Sequence, residues 1–330
     1  MNLFSLLACP YDGLPLSDTL TCEGGHQFPV VEGIPVLLRD DVPPTMEILR
    51  ASLNYAREGN GAPYYLQSVG LTDSERDAIA ATPQGGPVDP VVSHLIGATS
   101  GNLYNSLKGK LKEYPIPNLR LPESNGKLLL DVGCNWGRWT MAAARKGYQA
   151  IGIDPSLGAV LAARRVCRQI GLEAQFVVGD ARYLPFRTDV IDTAFSYSVL
   201  QHFSKSDARM ALREIGRVLC PGGQSLVQMP NAYGVRCLIT QARRGFKEVT
   251  GFDVRYWKPR ELVAAFTEDI GTSSLSVDGF FGLGIQPTDT HLLPWPQRMV
   301  VQASETLRKT GRGRRLADSL YLKSTKNIQG

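Results

Sequence analysis

Several things are scarce in this 330-residue chain. No apolar run reaches the roughly 18 residues a membrane span needs, so a spanning protein is not expected. Neither sign of charge dominates: 36 Lys and Arg stand against 31 Asp and Glu, a net charge of +5. That balance argues against a dedicated nucleic-acid module, whose basic residues would be concentrated. Cysteine occurs 6 times without regular spacing, which excludes a disulfide framework and makes a reducing cytoplasm the expected location. Leu6-Leu7-Ala8-Cys9 looks superficially like a lipoprotein cleavage site. No basic residue precedes it, however, and its apolar stretch falls short of the roughly 7 residues of a signal core.

The remaining composition, 43% hydrophobic and 20% charged, is that of an ordinary folded protein. Four zones separate along the chain. Residues 1–41 form a Cys/His-bearing segment ending in the apolar run Val30–Leu38, a pattern of short strands. Residues 42–125 are rich in Pro and Gly, with helical patterns at Met46–Arg57 and Val91–Leu111, and read as a helical linker or cap.

Residues 126–230 alternate strand and helix signals, the mark of a parallel, doubly wound α/β sheet. Strands are predicted at Lys127–Val132, Tyr148–Ile153, Ala174–Val178, Val190–Ser196 and Gln224–Met229. Helices are predicted at Arg138–Lys146, Ser156–Ile170 and Ser206–Leu219. Residues 231–330 add helices at Pro259–Phe266 and Pro296–Lys309, and strands at Ser273–Val277 and Ser319–Ser324. Two more strands complete a Rossmann-like, mainly parallel sheet of seven, with helices on both faces.

Candidate chemistry sits at the strand ends. Asp131-Val-Gly133-Cys134-Asn135-Trp-Gly137 ends one strand and opens a helix, so that backbone amides can approach a ligand closely. Asn135 stands where a third Gly is usual, and Asn tolerates left-handed angles better than most residues. Asp154, followed by Pro155, ends the next strand about 20 residues on, where a carboxylate can accept from ribose hydroxyls. To this point a dinucleotide and S-adenosylmethionine fit equally.

The third strand end separates them. Phe176-Val-Val-Gly-Asp180-Ala181-Arg-Tyr-Leu-Pro-Phe186 places an acid where it can accept from an adenine amino group. With Val190–Ser196 and Leu219–Gln224, the order resembles the class I S-adenosylmethionine-dependent methyltransferases over about 100 residues. The resemblance implies that Asp131, Gly133 and Gly137, with Cys134 and Asn135, shape the methionine end. It further implies that Asp154 and Pro155 meet the ribose, Asp180 and Ala181 the adenine, and Ser196 and Tyr197 the space after strand four.

Ser196-Tyr197-Ser198-Val-Leu-Gln201-His202-Phe203 resembles the corresponding segment of methyltransferases of quinones, sugars and other small molecules. It lacks the Asn/Asp-Pro-Pro-Tyr/Phe signature of enzymes that methylate nucleobase amino groups. His202 is the best base candidate because it ionises near neutrality, and a histidine that merely holds its loop is the alternative. Tyr197 and Gln201 are candidates for orienting an acceptor; His94, His291, Tyr104, Asn105, Arg255, Tyr256 and Trp257 are weaker ones. The basic run Lys309–Arg315 reads either as a solvated loop or as a contact for an anionic, phosphate-bearing substrate.

Cys9-Pro-Tyr-Asp12 and Cys22-Glu-Gly-Gly-His26 have the two-knuckle spacing of a zinc ribbon, with Asp12 in place of a second Cys. Zinc accepts thiolate, imidazole and carboxylate, so Cys9, Asp12, Cys22 and His26 can complete a site; a metal-free ribbon is the alternative. The segment resembles the small ribbons that precede some bacterial methyltransferases, including ribosomal RNA guanine methyltransferases.

The expected function is methyl transfer from S-adenosylmethionine to a small-molecule acceptor, such as the oxygen of a sugar, glycolipid or secondary metabolite. An RNA methyltransferase whose ribbon presents RNA, and a catalytically inactive binding protein of the same fold, are the alternatives. The sequence does not specify the oligomeric state.

Overall fold

The computed structural model describes residues 2–59, 71–82, 86–100, 102–281 and 286–328. It divides into two units, Met1–Arg187 and Thr188–Gly330. The strands in chain order are β1 Val30–Val31, β2 Ile34–Leu37, β3 Leu128–Val132, β4 Gln149–Asp154 and β5 Gln175–Gly179 in the first unit, then β6 Ile191–Ser196, β7 Leu219–Pro230, β8 Gly271–Gly279 and β9 Ser319–Lys326 in the second. Among the described residues, nine strands therefore replace the seven expected. The additional pair comes from the N-terminal segment, whose β2 supplies backbone partners to β5 rather than closing a separate sheet.

In the first unit the strand order is β1-β2-β5-β4-β3. β2, β5, β4 and β3 are all parallel, and β1 pairs with β2 as an antiparallel hairpin. Near-continuous apolar strands suit this arrangement because a parallel sheet is covered on both faces. Leu129, Leu130, Val132, Ile151, Val177 and Val178 are fully buried, each contributing roughly 1.5–3 kcal/mol by leaving water.

The helices of this unit are α1 Glu47–Glu58, α2 Asp73–Ala81, α3 Pro90–Thr99, α4 Arg138–Arg145 and α5 Leu157–Gln169. The helical pattern at Val91–Leu111 is split. α3 ends at Thr99, and a separate 3-10 turn covers Asn102–Leu107. α5 starts where the Ser156 hydroxyl accepts from the Ala159 amide, and its inner face carries Gly158, Ala159, Ala162 and Ala163, so it packs closely. The Ser52 hydroxyl of α1 accepts from the Leu157 amide, tying the linker zone to the start of α5.

The second unit has strand order β6-β7-β9-β8, with β6 and β7 parallel and the remaining pairs antiparallel. Its helices are α6 Lys205–Val218, α7 Val235–Arg243, α8 Pro259–Asp269 and α9 Trp295–Thr310. α6 is capped by the Ser204 hydroxyl, which accepts from the Asp207 amide at 3.0 Å. α7 has no local side-chain cap. Asp318, just before β9, accepts instead from the amides of Arg236 and Cys237 at 2.7 and 3.1 Å. Such a cap from a distant part of the chain leaves no sequence signature at the helix itself, and α7 is not predicted from the pattern above; α2, which has the local Thr72–Glu75 capping box, is not predicted either.

Candidate functional site

β3, β4 and β5 are in register, with Val132 beside Ile153 and Asp154 beside Val178, so their carboxyl ends fall along one edge. That edge is where open α/β sheets bind ligands. The loop after β3 folds over onto β4. The amides of Gly133 and Cys134 both donate to the Ile153 carbonyl, at 2.8 and 3.0 Å, and the Asn135 amide donates to Asp154 Oδ2 at 2.9 Å.

Gly133, Asn135 and Gly137 all have left-handed backbones, with φ of 78°, 47° and 79°. Asn135 thus takes the conformation a glycine would supply. Gly137 also serves packing. A Cβ there would meet Ala163 Cβ at 2.9 Å and Phe176 Cε1 at 3.2 Å, so the glycine lets the start of α4 lie against α5 and β5.

The three acids differ in their partners. Asp131 is buried and accepts from the Thr140 hydroxyl at 2.7 Å. Burial, reinforced by the charge of Asp154, pushes its carboxyl up to about 7. Asp154 accepts from the amides of Asn135 and Ser156, one on each oxygen, and burial pushes it up to about 6. Each oxygen keeps a lone pair for a further donor, as a ribose diol requires.

Asp180 follows β5 and is held in a buried fork by Arg182, whose Nη2 lies 2.7 Å from Oδ2 and whose amide donates to Oδ1 at 2.9 Å. Arg182 also donates to the Pro43 carbonyl at 2.9 Å. This arginine is the partner that sequence reasoning missed; its position two residues past the acid was the available signal. Ala181 is buried and Pro155 half-buried.

The residues present fit an adenosine cofactor at the ribose end. Besides the open lone pairs of Asp154, the side-chain oxygen of Asn135 is buried with no hydrogen-bond partner among the described residues. An orphaned acceptor next to a half-satisfied carboxylate calls for a donor-bearing ligand.

In the second unit Ser196 is buried at the end of β6. Tyr197 donates its hydroxyl to Asp278 Oδ2 at 2.9 Å and accepts from Gln286 Nε2 at 3.0 Å. The same Asp278 oxygen accepts from Ser319 at 2.7 Å, Gln228 donates to Ser319 at 2.7 Å, and Ser198 donates to Gln228 from both amide and hydroxyl. Residues more than 80 positions apart thus form one polar network around Tyr197.

His202 stacks on Phe252 with ring centroids 4.1 Å apart. Burial drops its imidazole to about 4, so it is neutral at physiological pH and a weak base. Arg255 donates to the carbonyls of Gln201 and His202 at 2.8 and 2.6 Å, which fixes the loop. Trp257 is buried beneath the Lys205 ammonium, and Tyr104 is buried against Arg138. Tyr256 is half-buried, and burial raises its phenol. His291 lies on a surface turn with its ring nitrogen 3.0 Å from the Thr288 carbonyl, while His94 is half-buried on α3.

The N-terminal cluster converges on a point. His26 Nδ1 lies 3.1 Å from Asp12 Oδ2, 3.3 Å from Cys22 Sγ and 3.5 Å from Cys9 Sγ, and Cys22 Sγ lies 3.3 Å from Asp12 Oδ2. Bonds of about 2.0–2.3 Å to a tetrahedral zinc set ligand atoms roughly 3.3–3.8 Å apart, which these separations approach. Gly24 makes the approach possible, since a Cβ there would stand 2.4 Å from Asp12 Oδ2. Burial pushes the Cys9 thiol up to about 12, while the Leu14 amide helps hold Asp12 at about 2.

A family model described as "Methyltransferase domain" matches residues 129–223, the stretch that contains all three acids and Tyr197. Over this stretch the chain is similar to methyltransferase domains. Methyltransferase GfsG of Streptomyces halstedii is 36% identical over 108 residues, covering 32% of this chain and 38% of that protein. The mouse tRNA (carboxymethyluridine(34)-5-O)-methyltransferase ALKBH8 is 34% identical over 104 residues, covering 31% of this chain and 14% of that one. A solved S-adenosylmethionine-dependent methyltransferase of Methanosarcina mazei is similar with a TM-score of 0.45 and 19% identity, over 62% of this chain and 95% of the other. The match thus spans well under half of each of these two curated relatives.

Proposed function

We propose that the chain transfers a methyl group from S-adenosylmethionine to the oxygen of a small-molecule acceptor, with residues 126–230 as the cofactor core and 231–330 supplying acceptor contacts. The observation that carries this is the edge where β3, β4 and β5 end together, with Asp154 half-satisfied beside the orphaned Asn135 oxygen. When bound, the cofactor supplies an electrophilic methyl on sulfur. Asp154 accepts from its ribose, the Gly133–Gly137 loop frames its amino-acid end, and the turn at Asp180 and Ala181 bounds the base.

Holding acceptor and donor in line supplies much of the acceleration for such a displacement. An alcohol must also lose its proton, and Tyr197 is the better-supported group for managing it. Its hydroxyl is already bonded to a buried carboxylate, so a proton taken at Tyr197 Oη can be matched by one passed to Asp278. His202, neutral and stacked, holds the loop in this reading.

Zinc at Cys9, Asp12, Cys22 and His26 is part of the proposal and serves to fold the N-terminal segment. A second reading, methylation of RNA, is favoured by the similarity to ALKBH8.

Calorimetry with S-adenosylhomocysteine tests the cofactor site: wild type binds and Asp154→Ala binds at least tenfold more weakly. Equal affinity in the two proteins sinks the assignment. Incubation with methyl-labelled cofactor and fractionated cell extract, with and without RNase, then separates the acceptors. RNase-resistant label in the small-molecule fraction supports the first reading; RNase-sensitive label replaces it with the second.

A further inference from the structure

Two helices of the second unit wear their apolar stripes on the outside. On α7 and the turn after it, Val235, Leu238, Ile239, Ala242 and Phe246 follow the i, i+3, i+4, i+7 spacing of one helical face, and all are exposed. Such a stripe ordinarily faces a core. On α9, Pro296, Met299, Val300 and Ala303 repeat the spacing and are exposed, and Trp295 beside them is 71% exposed.

Both helices anchor on one corner. Arg236 of α7 donates to the Phe281 carbonyl, and Ser304 of α9 bonds to both the amide and the carbonyl of Phe280. Exposed Leu316 lies nearby in sequence space, and the Arg315 carbonyl before it accepts from Asn231, three residues before Gly234 caps α7.

The charge around these stripes is predominantly basic, with Glu248 and Glu305 at its margins. No acidic residue occurs in 233–247 or in 306–317. Those stretches carry Arg236, Arg243 and Lys247 in the first, and Lys309, Arg312, Arg314 and Arg315 in the second, all exposed. Apolar side chains flanked by an excess of exposed basic ones, Arg312, Arg314 and Arg315 among them, match an anionic bilayer, which accepts the apolar groups at its acyl boundary and attracts the cations at its headgroups. A second copy of the same face would set like charges together. RNA would satisfy the arginines and leave Val235, Leu238, Ile239 and Met299 without an apolar partner.

We infer that α7, α9 and the Lys309–Arg315 run form a docking surface for an anionic lipid bilayer, on which the protein rests without crossing it. No helix among the described residues is long and apolar enough to span. The inference rests on exposed residues outside the cofactor core at 126–230.

The full-length protein is floated with vesicles of phosphatidylcholine alone or with 30% phosphatidylglycerol added. Trp295 provides an internal probe, because Trp136, Trp139 and Trp257 are buried at 1%, 6% and 3% exposure. Expected are flotation with the anionic vesicles only, weakening with salt, and a blue shift of emission that the Trp295→Phe variant lacks. Arg312→Glu/Arg314→Glu/Arg315→Glu lowers binding on the order of 100-fold, and Leu238→Ser/Ile239→Ser lowers it roughly tenfold. Unaltered S-adenosylhomocysteine binding in these exposed-residue variants shows that they fold. Equal flotation with neutral vesicles, no flotation with either, or a dimer that the Leu238→Ser/Ile239→Ser variant dissolves overturns the inference.

Discussion

The first unit holds two clusters of acidic and polar ligands that are built on opposite plans. At Cys9, Asp12, Cys22 and His26 the donor atoms converge and find mainly one another, all within 4.8 Å. At Asp131, Asp154 and Asp180 each carboxylate sits at its own strand end with its own partner: Thr140, two backbone amides, and Arg182. A cluster that closes on a point suits an ion, which must be surrounded. Acids spread along an edge suit an extended molecule, whose parts are met one at a time.

The two clusters are also linked by stacked groups. Tyr11 stacks on His26 at 4.4 Å, the Arg39 guanidinium lies over both Tyr11 and Tyr183, and Arg182 lies over Tyr183. The N-terminal segment therefore reaches the Asp180 turn through side chains as well as through the β2–β5 pairing.

The contrast breaks most visibly at Asp180. Removing its buried cationic partner by Arg182→Met leaves the carboxylate only the residue-182 amide, and urea unfolding is expected to show a loss of about 3–5 kcal/mol; a loss below 1 kcal/mol would mean that the acid is less committed to the pair than its geometry indicates. Next is the convergent cluster. Zinc at a hundredfold excess over its dissociation constant stabilises the chain by about 2.7 kcal/mol. Cys22→Ser, which removes a ligand, abolishes most of that gain, and an equal rise in melting temperature in both proteins would deny the site.

Asp131 sharpens the comparison through pH. Its folded carboxyl is raised to about 7, above the unfolded value, so the native state binds the extra proton. Both states are protonated below about pH 4, and stability is lost as the pH rises from there through 7. Asp131→Asn cannot ionise and keeps the Thr140 bond. It should be more stable than wild type by about 4 kcal/mol at pH 8 and equal to it at pH 4, and equal stability at both pH values would contradict the shift.

The smallest effect is on the ligand. With Asp154 raised to about 6, S-adenosylhomocysteine affinity should fall roughly tenfold from pH 8 to pH 5 as the acceptor protonates. A flat calorimetric profile would remove Asp154 from the ribose contact.

Much of the fold was legible because its signals are local. The apolar runs that became β3 to β9 and the caps of α5 and α6 are written in contiguous residues. The pairing of Ile34–Leu37 with β5 was not, because a buried four-residue strand looks the same whether it belongs to a ribbon or to a larger sheet. α7 escaped for a related reason: its cap comes from Asp318, and its apolar stripe faces outward, where periodicity alone implies a core. Of the candidate site, the strand-end acids and Asn135 were readable from spacing, whereas Arg182, Asp278, Ser319 and Gln228 were not.

By itself the sequence determined the α/β alternation, the three acids at successive strand ends and the two knuckles that carry Cys9 and Cys22. All follow from short-range pattern, since hydrophobic period and turn residues act on neighbours in the chain. Tertiary structure alone decided how those groups are protonated and paired. Burial raised Asp131 and Asp154, lowered His202, locked Asp180 to Arg182 and set Tyr197 on Asp278. A proton's free energy depends on the dielectric and charges around it, and those arise only when distant segments come together.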